Sequence, residues 1–177
     1  MNVIEFHQVR TNAQKGQGGI LIREYLDFLN RRTQHDYNIE FDVEAMVQSD
    51  LSDQIKFHPP SGRFYLVLYE DNAAGVGCLK KLHDSVGEVQ RMYVSPDFRG
   101  KGIGRAIANR LIDDAREIGY RKLKLESLGF LDAAHTLYRS IGFKEIDPYA
   151  ENSMESFQAT EQLDKYYSIT VFMEMNL

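Results

Sequence analysis

The six residues from Arg99 to Gly104 are the part of the sequence whose residue types point most directly to chemistry. They read Arg-Gly-Lys-Gly-Ile-Gly, and apolar residues at helical spacing follow them. Glycines let a backbone approach a ligand closely, and the first N–H groups of a helix have no internal partners. Arg99, Lys101 and Arg105 add positive charge at the same end. The segment therefore predicts a cradle for phosphate or pyrophosphate, with a tight strand-to-helix turn that binds nothing as the alternative.

Two familiar phosphate-binding loops do not fit this segment. A Walker loop needs Ser or Thr after its Gly-Lys pair, whereas Gly102 follows Lys101. The dinucleotide fingerprint needs two residues between its second and third glycines, and here Ile103 stands alone between Gly102 and Gly104. The cradle therefore indicates neither a Walker-type nucleotidase nor a Rossmann dehydrogenase.

The charges of the chain are unevenly distributed. The net charge of the 177 residues is −5, yet residues 91–124 hold nine basic side chains against four acidic ones. Residues 145–177 hold seven acidic side chains and one lysine. The basic segment predicts a seat for a polyanionic ligand, with a solvated helix face as the alternative. Because the whole chain is acidic and the cations form no long stripe, we expect no binding to nucleic acid.

Composition limits the class of protein. Hydrophobic residues make up 43% and charged residues 27%, which is typical of a globular domain, and we expect one domain over residues 1–177. No stretch approaches the ~18 consecutive apolar residues of a membrane span, and the N-terminus shows no secretory leader, so we expect a cytoplasmic protein with no membrane association. The single Cys78 excludes an intrachain disulfide, and the five histidines show no metal-ligand spacing, so we expect no metal.

Hydrophobic periodicity places the glycine-rich segment between a strand and a helix. Alternating runs predict strands at 3–9, 64–69, 74–82, 86–94, 122–127, 143–146 and 169–175. Helical stripes are predicted at 20–29, 43–51, 103–118 and 133–141. Residues 11–19 are polar and glycine-rich and predict a loop, and residues 147–167 predict an acidic, irregular segment. This order of elements indicates a single α/β domain with a mixed sheet.

Three motifs in this order resemble the GNAT superfamily of N-acetyltransferases. The run from Arg99 to Gly104 is similar to the family's signature for the pyrophosphate of acetyl-coenzyme A. The residues from Glu88 to Pro96 resemble the strand before it, and Ala134-x-x-Leu137-Tyr138-x-x-x-Gly142-Phe143 resembles the second signature. The resemblance implies a mixed, mostly antiparallel sheet of about six to seven strands, flanked by about four helices. It also implies splayed central strands that hold the coenzyme, with a coenzyme-binding core at about 86–143 and acceptor-side elements at about 16–60 and 147–168.

The resemblance implies an acetyl-CoA-dependent N-acetyltransferase that moves the acetyl group to a primary amine by direct attack. An acetyl-CoA-binding sensor without transferase activity is the alternative. The implied coenzyme-binding residues are Met92, Tyr93, Val94, Arg99, Gly100, Lys101, Gly102, Ile103, Gly104, Arg105 and Ser127. The acceptor is open between a small-molecule amine and a peptide or protein amine, and a homodimer through the final strands is also open.

Transfer to an amine requires a base and an acid. A lysine-like amine has a pKa near 10.4, so a proton must leave before attack, and the departing thiolate gains from a donor. Glu88 is the candidate base, because it lies on the strand that borders donor and acceptor in the family; an ion-paired strand glutamate is the alternative. Tyr138 is the candidate acid by resemblance, with a packing tyrosine as the alternative.

One position departs from the family pattern. Leu131 stands where many members carry an asparagine that contacts the pantetheine arm. The candidates to replace that contact are Ser127 and Asp132, with no replacement at all as the alternative. The acceptor-side elements combine tyrosines such as Tyr25, Tyr149 and Tyr166 with acidic residues. This combination predicts a rim suited to a cationic amine, with a solvated acidic surface as the alternative.

Overall fold

The structure is a computed structural model that describes residues 3–52, 55–150 and 160–177. The strands are β1 (Ile4–Gln8), β2 (Arg63–Tyr69), β3 (Asn72–His83), β4 (Val86–Val94), β5 (Lys122–Leu128), β6 (Lys144–Ile146) and β7 (Thr170–Asn176). The helices are α1 (Asn12–Tyr37), α2 (Val43–Ser52), α3 (Ile103–Ile118), α4 (Asp132–Ser140) and α5 (Thr160–Ser168), with a 3₁₀ turn at Pro96–Phe98. The strands form one sheet in the order β1-β2-β3-β4-β5-β7-β6.

The sheet is antiparallel at every pairing except the central one, where β4 and β5 run parallel. This confirms the predicted mixed, mostly antiparallel sheet. The sheet has a helical layer on each side. We call the side covered by α1, α2 and α5 the α1 face, and the side covered by α3 and α4 the α3 face. Both layers bury apolar side chains against the strands, so each face has its own core.

The parallel strands separate soon after they begin. β4 and β5 pair at only three positions, and the last pair is Glu88 with Lys124. β5 then continues to pair with β7 as far as Leu128, while β4 continues beside β3 as far as Val94. The predicted splay of the two strands is therefore present, and it opens a slot in the middle of the sheet.

The first helix begins earlier than the sequence predicts. Residues 11–19 were expected to form a loop because they are polar and glycine-rich, yet α1 begins at Asn12. Thr11 caps it: the Thr11 hydroxyl accepts from the Gln14 N–H at 3.2 Å, and the Gln14 side chain accepts from the Thr11 N–H at 3.1 Å. This capping box supplies partners for the first orphan N–H groups and explains why a helix forms here.

Two glycines of α1 are sites of close packing. A Cβ on Gly18 would lie 2.8 Å from Phe64 Cζ, and one on Gly19 would lie 2.8 Å from Leu51 Cδ1. Both glycines are buried. They therefore let α1 approach β2 and α2 closely, which the local sequence pattern alone does not reveal.

The C-terminal segment is also more ordered than predicted. The irregular segment expected at 147–167 contains α5, while residues 151–159 lie outside the described part of the chain. Tyr166 of α5 is 3% exposed, and its ring lies 6.1 Å from that of Phe41 on the α1 face. The helix is therefore fixed by tertiary packing of its aromatic side, which its acidic composition conceals.

The edge beyond β5 bears on the predicted dimer. β7 lies inside the sheet, and the strand at this edge is β6, which has only three residues. Pairing of the final strands across a homodimer stays a prediction. None of the helices in the described ranges has the length and apolarity needed to cross a bilayer.

Candidate active site

A cavity of about 590 Å³ occupies the slot between β4 and β5. At one end it is lined by the glycine-rich turn before α3, and at the other by side chains of α1, α2 and α5 on the α1 face. The cavity therefore passes through the sheet, from a region rich in backbone groups to one rich in aromatic side chains.

The glycine-rich turn presents open backbone to the cavity. Gly100 and Gly102 have φ angles of 76° and 79°, a left-handed conformation that favours glycine. A Cβ at either position would meet nothing within 4 Å, so the space in front of the backbone is empty of protein. Gly102 caps α3 without a side-chain hydrogen bond, which leaves the first N–H groups of that helix for a ligand. A pyrophosphate fits this arrangement of donors and space.

The three cations of the turn point in different directions. Arg99 lines the cavity, where its Nε donates to the Val94 carbonyl at 3.1 Å. Lys101 lies over the ring of Tyr69 at 5.0 Å, and neither it nor Arg105 belongs to the cavity lining of the described residues. Arg105 instead donates to the hydroxyl of Ser140, on α4, at 2.9 Å. The predicted contacts of these three side chains with the coenzyme stay predictions. Of the three, only Arg99 lines the cavity.

The open edge of β4 supplies backbone groups to the slot. Met92, Tyr93 and Val94 all line the cavity, as do Ile103 and Gly104 at the start of α3. In the described ranges no strand pairs with the β5-facing edge of β4 beyond the last parallel pair. A linear ligand such as the pantetheine arm can pair there like an added strand.

A bulge in β4 redirects one side chain. Between the pairs Val76–Tyr93 and Cys78–Gln90, the register of β4 gains one residue, and Arg91 has a φ of 50°. The extra residue turns Arg91 to the α1 face, where its Nε donates to Asp50 of α2 at 2.5 Å. Gln90 and Arg91, although adjacent, thus both contribute to the same side of the cavity.

Tyr138, the candidate acid, lines the cavity, and its role as acid stays a prediction. It lies on α4 at 7% exposure, and its hydroxyl donates to Met92 Sδ at 3.9 Å. Burial raises the pKa of its phenol well above 10. The hydroxyl therefore keeps its proton at neutral pH and is available as a donor.

Glu88, the predicted base, is held at the closed end of the slot. It is 0% exposed and is absent from the cavity lining of the described residues. Its carboxylate accepts from the Tyr149 hydroxyl at 2.6 Å and from Gln90 Nε2 at 2.5 Å, and Lys80 Nζ lies 3.4 Å away. The role of Glu88 as base stays a prediction. Its carboxylate contacts Gln90, which does line the cavity, so Glu88 also orients a residue of the site.

Glu126 is a carboxylate of the cavity that sequence reasoning missed. It lies on β5 two residues after Lys124, on the same side of the strand, and it lines the cavity. The signal available in the sequence was the alternation of residues 122–127, in which Lys124 and Glu126 alternate with Leu123 and Leu125 and so share the opposite face of the strand. A lone acidic residue on a strand predicts a solvent-facing position, and only the splay exposes this one to the slot.

Two further predicted residues lie on the β5–α4 side. Ser127 lines the cavity, and its hydroxyl is 3.0 Å from Nε2 of His135. Burial lowers the pKa of His135, which favours its neutral ring. Leu131 caps α4 without a side-chain hydrogen bond and lines the cavity together with Asp132. Replacement of the missing asparagine contact by Ser127 or Asp132 stays a prediction.

The remaining candidates do not build a second site. Cys78 is 0% exposed, and burial raises its thiol pKa well above 9, as suits a packed residue. Within residues 3–52, 55–150 and 160–177, no group of three or more His, Cys, Asp and Glu side chains is placed to hold a metal ion.

Comparison with known proteins identifies the family. The sequence model of the acetyltransferase (GNAT) family matches residues 22–143. The uncharacterized N-acetyltransferase YjgM of Escherichia coli is 31% identical over 122 residues, which cover 66% of this chain and 73% of that protein. The chain therefore belongs to the acetyltransferase (GNAT) family, whose members are acyltransferases with acetyl-CoA as the acyl donor. The predicted family, enzyme class and co-substrate are confirmed.

One solved structure and one further relative extend the comparison. The PaiA N-acetyltransferase of Thermoplasma acidophilum, solved in complex with coenzyme A, shares the fold with a TM-score of 0.69 at 16% identity over 99% of both chains. This agrees with the predicted fold class. The N-acetylaspartate synthetase of Xenopus tropicalis is 31% identical over 107 residues, which cover 59% of this chain and 40% of that protein.

Proposed function

We propose that this protein transfers the acetyl group of acetyl-CoA directly to a primary amine, and that donor and amine meet in the slot between β4 and β5. The observation that carries the proposal is the continuity of the cavity. It joins a phosphate cradle at the start of α3 to a polar, aromatic chamber on the α1 face. A donor bound from one side and an acceptor bound from the other therefore meet where the strands diverge, with no covalent enzyme intermediate.

The donor side provides binding and polarisation. The N–H groups at Gly102, Ile103 and Gly104 receive the pyrophosphate, and the open edge of β4 pairs with the pantetheine arm. A backbone N–H at Tyr93 or its neighbours polarises the thioester carbonyl, because such a donor stabilises developing negative charge on oxygen. Tyr138 supplies the proton that the departing sulfur takes up.

The acceptor side removes a proton. A protonated amine loses a first proton before attack. Its nitrogen then bonds to the carbonyl carbon as the carbon–sulfur bond breaks, and it loses a second proton, which replaces the one that Tyr138 gives to sulfur. We assign the first proton to the carboxylate of Glu126, because Glu126 lines the cavity from β5 while Gln90 lines it from β4. Glu88, the base expected from the sequence, remains the competing assignment and would act through Gln90 or a bound water.

Thiol release from acetyl-CoA, measured against a panel of primary amines, tests the proposed function. The released thiol should require an amine and should match, mole for mole, an acetylated amine identified by mass spectrometry. Because Cys78 is 0% exposed, the protein's own thiol does not interfere with a thiol reagent. Tight binding of acetyl-CoA without amine-dependent release across the panel would contradict the proposal and favour a coenzyme-sensing module.

A further inference from the structure

The α1 face of the cavity contains a group of polar side chains that coenzyme binding does not use. Gln90 and Arg91 of β4 and Glu126 of β5 all line this part of the cavity, beside Tyr25 of α1 and Tyr166 of α5. Gln90 and Arg91 are 5% and 7% exposed. Side chains so deeply buried are normally bonded to one another, so their remaining bonding capacity indicates what the chamber is built to hold.

Arg91 presents a positive edge to the chamber. Its Nε donates to Asp50 at 2.5 Å, while its Nη2 is 3.5 Å from the other oxygen of Asp50. That second oxygen also accepts from Lys56 Nζ at 2.5 Å, so Asp50 is shared between two cations. In the described ranges Asp50 is the only hydrogen-bond partner of Arg91, so the Nη1–Nη2 edge has no partner there, and Arg91 itself lines the cavity. That edge is the planar fork that binds a carboxylate with two parallel hydrogen bonds.

Gln90 presents an acceptor. The NH₂ group of Gln90 donates to the Glu88 carboxylate. This orientation of the amide is required because a carboxylate surrounded by donors accepts hydrogen bonds, so the NH₂ group and not the carbonyl oxygen must face it. The carbonyl oxygen Oε1 of Gln90 is buried and has no hydrogen-bond partner among the described residues. A buried acceptor without a donor is unfavourable, because it has lost its hydrogen bond to water and gained none from the protein. A ligand that brings an N–H group to this place removes that penalty.

Glu126 supplies the opposite charge across the slot. Glu126 lies two residues beyond Lys124 on β5, as Gln90 lies two residues beyond Glu88 on β4, and both line the cavity. Burial raises the pKa of the Tyr25 phenol to about 12, and of its charged neighbours Arg91 lowers that pKa while Glu126 raises it. They act on Tyr166 in the same opposed way. The chamber therefore has a positive end at Arg91, a negative end at Glu126, and two tyrosines within reach of both.

We infer that this chamber recognises a free amino acid, whose carboxylate binds the open edge of Arg91 while its amine lies between Gln90 Oε1 and Glu126. Phe28, Phe41 and Met46 also line the cavity, and these apolar residues suit an apolar side chain on the ligand. That the bound amine is then acetylated rests on the proposed function. That the amino acid binds rests on the chamber alone. It narrows the acceptor to amines that carry a carboxylate, which excludes polyamines and protein lysines.

A matched set of three amines tests this inference on the intact protein. Leucine, leucinamide and 3-methylbutylamine carry the same isobutyl group on the carbon that bears the amine. Leucinamide replaces the carboxylate with an amide, and 3-methylbutylamine lacks it. After correction for the fraction of free amine at the assay pH, we expect kcat/KM for leucine to exceed that for the other two by about 10- to 100-fold. Equal or better use of 3-methylbutylamine would overturn the inference while leaving the proposed acetyl transfer intact.

A pair of variants locates the preference. Arg91→Lys keeps a charge beside Asp50 but loses the planar fork, so the preference for leucine over leucinamide should fall to a few-fold. Arg63→Lys is the matched control, because Arg63 also faces a buried carboxylate, that of Asp114 at 3.5 Å, but outside the cavity lining. An unchanged preference in a folded Arg91→Lys protein would contradict the assignment. If that variant does not fold, the preference of the parent protein among the three amines decides the question.

Calorimetry on the protein loaded with coenzyme A separates the inference from the proposed function. If no amine is acetylated, the proposed function fails, and binding then tests the chamber by itself. Binding of leucine but not of 3-methylbutylamine would support the amino-acid site. Binding of neither, or of both equally, would overturn it.

Discussion

Glu88 and Lys124 are the last residues through which β4 and β5 pair, and the slot begins directly beyond them. Two residues further along each strand, Gln90 and Glu126 line the same cavity without any pairing between the strands. The place where the sheet opens thus determines which side chains become functional. Glu88, before the opening, is outside the cavity lining of the described residues, whereas Gln90 and Glu126, after it, are part of that lining.

The cradle assignment predicts a specific effect of Gly102→Val. A branched side chain at a φ of 79° is strained and would project into the open space before α3, so affinity for coenzyme A should fall by about tenfold or more. Gly119→Val is the matched control, since Gly119 has a φ of 97° at the other end of the same helix and is absent from the cavity lining. Calorimetry that finds the same affinity loss in both variants would contradict the assignment.

The leaving-group assignment predicts a slow Tyr138→Phe variant. The phenol is lost while the ring keeps its packing, so turnover should drop by roughly 10²- to 10⁴-fold with little change in coenzyme affinity. Because burial raises the pKa of Tyr138, parent activity should not decline as the pH rises toward 10 through loss of this proton. Tyr120→Phe removes a comparable buried hydroxyl, bonded to the Ser61 carbonyl at 2.6 Å outside the cavity lining, and should turn over like the parent.

The proton-acceptor assignment is tested by comparing Glu126→Gln with Glu88→Gln. If Glu126 is the base, its variant should be slow with an amine of high pKa and should partly recover at higher pH, where more free amine is present. An aromatic amine of low pKa should be affected much less. Glu88→Gln disturbs the orientation of Gln90, so both amines should lose rate alike across pH. The reverse pattern in the pH–rate profiles would return the role of base to Glu88.

The packing of α1 predicts opposite effects of two similar substitutions. Gly18→Ala would bring a Cβ to 2.8 Å from Phe64 and should destabilise the protein by about 1–3 kcal/mol. Gly16→Ala, in the same helix, meets nothing within 4 Å and should stabilise it by about 0.5–1 kcal/mol. Urea unfolding of the two variants measures both values. Stabilisation by Gly18→Ala would mean that α1 does not pack closely against β2.

His135 should make stability depend on acidity. Burial lowers its pKa in the folded protein, so the unfolded chain takes up the proton first as the pH falls below about 6.5. The free energy of unfolding should therefore decrease from pH 7 downward, until the pH is also below the lowered pKa of the folded state. His135→Gln should have a shallower slope over this range than the parent. Equal slopes in the parent and in His135→Gln would contradict the assignment.

Local sequence determined the elements around the coenzyme-binding half. The apolar stripe of α3 and its closing Gly119 set the bounds of that helix, and alternation set the bounds of β4, because these signals depend on periodicity alone. The glycine-rich run and Tyr138 indicated the cradle and the acid for the same reason: their chemistry is readable from residue type and spacing. The glycines of α1 misled because a glycine needed for helix packing and one needed for a turn look alike in sequence.

Tertiary structure alone decided the acceptor side. Gln90, Arg91 and Glu126 form one chamber only because the β4 bulge turns Arg91 to the α1 face and because β5 leaves β4 after Lys124. Neither the bulge nor the point of divergence has a local sequence signal, since both arise from the competing pairings of β4 with β3 and of β5 with β7. The sequence by itself therefore determines the family and its acyl donor, whereas the position of one bulge and one strand separation decides which side chains line the proposed acceptor chamber.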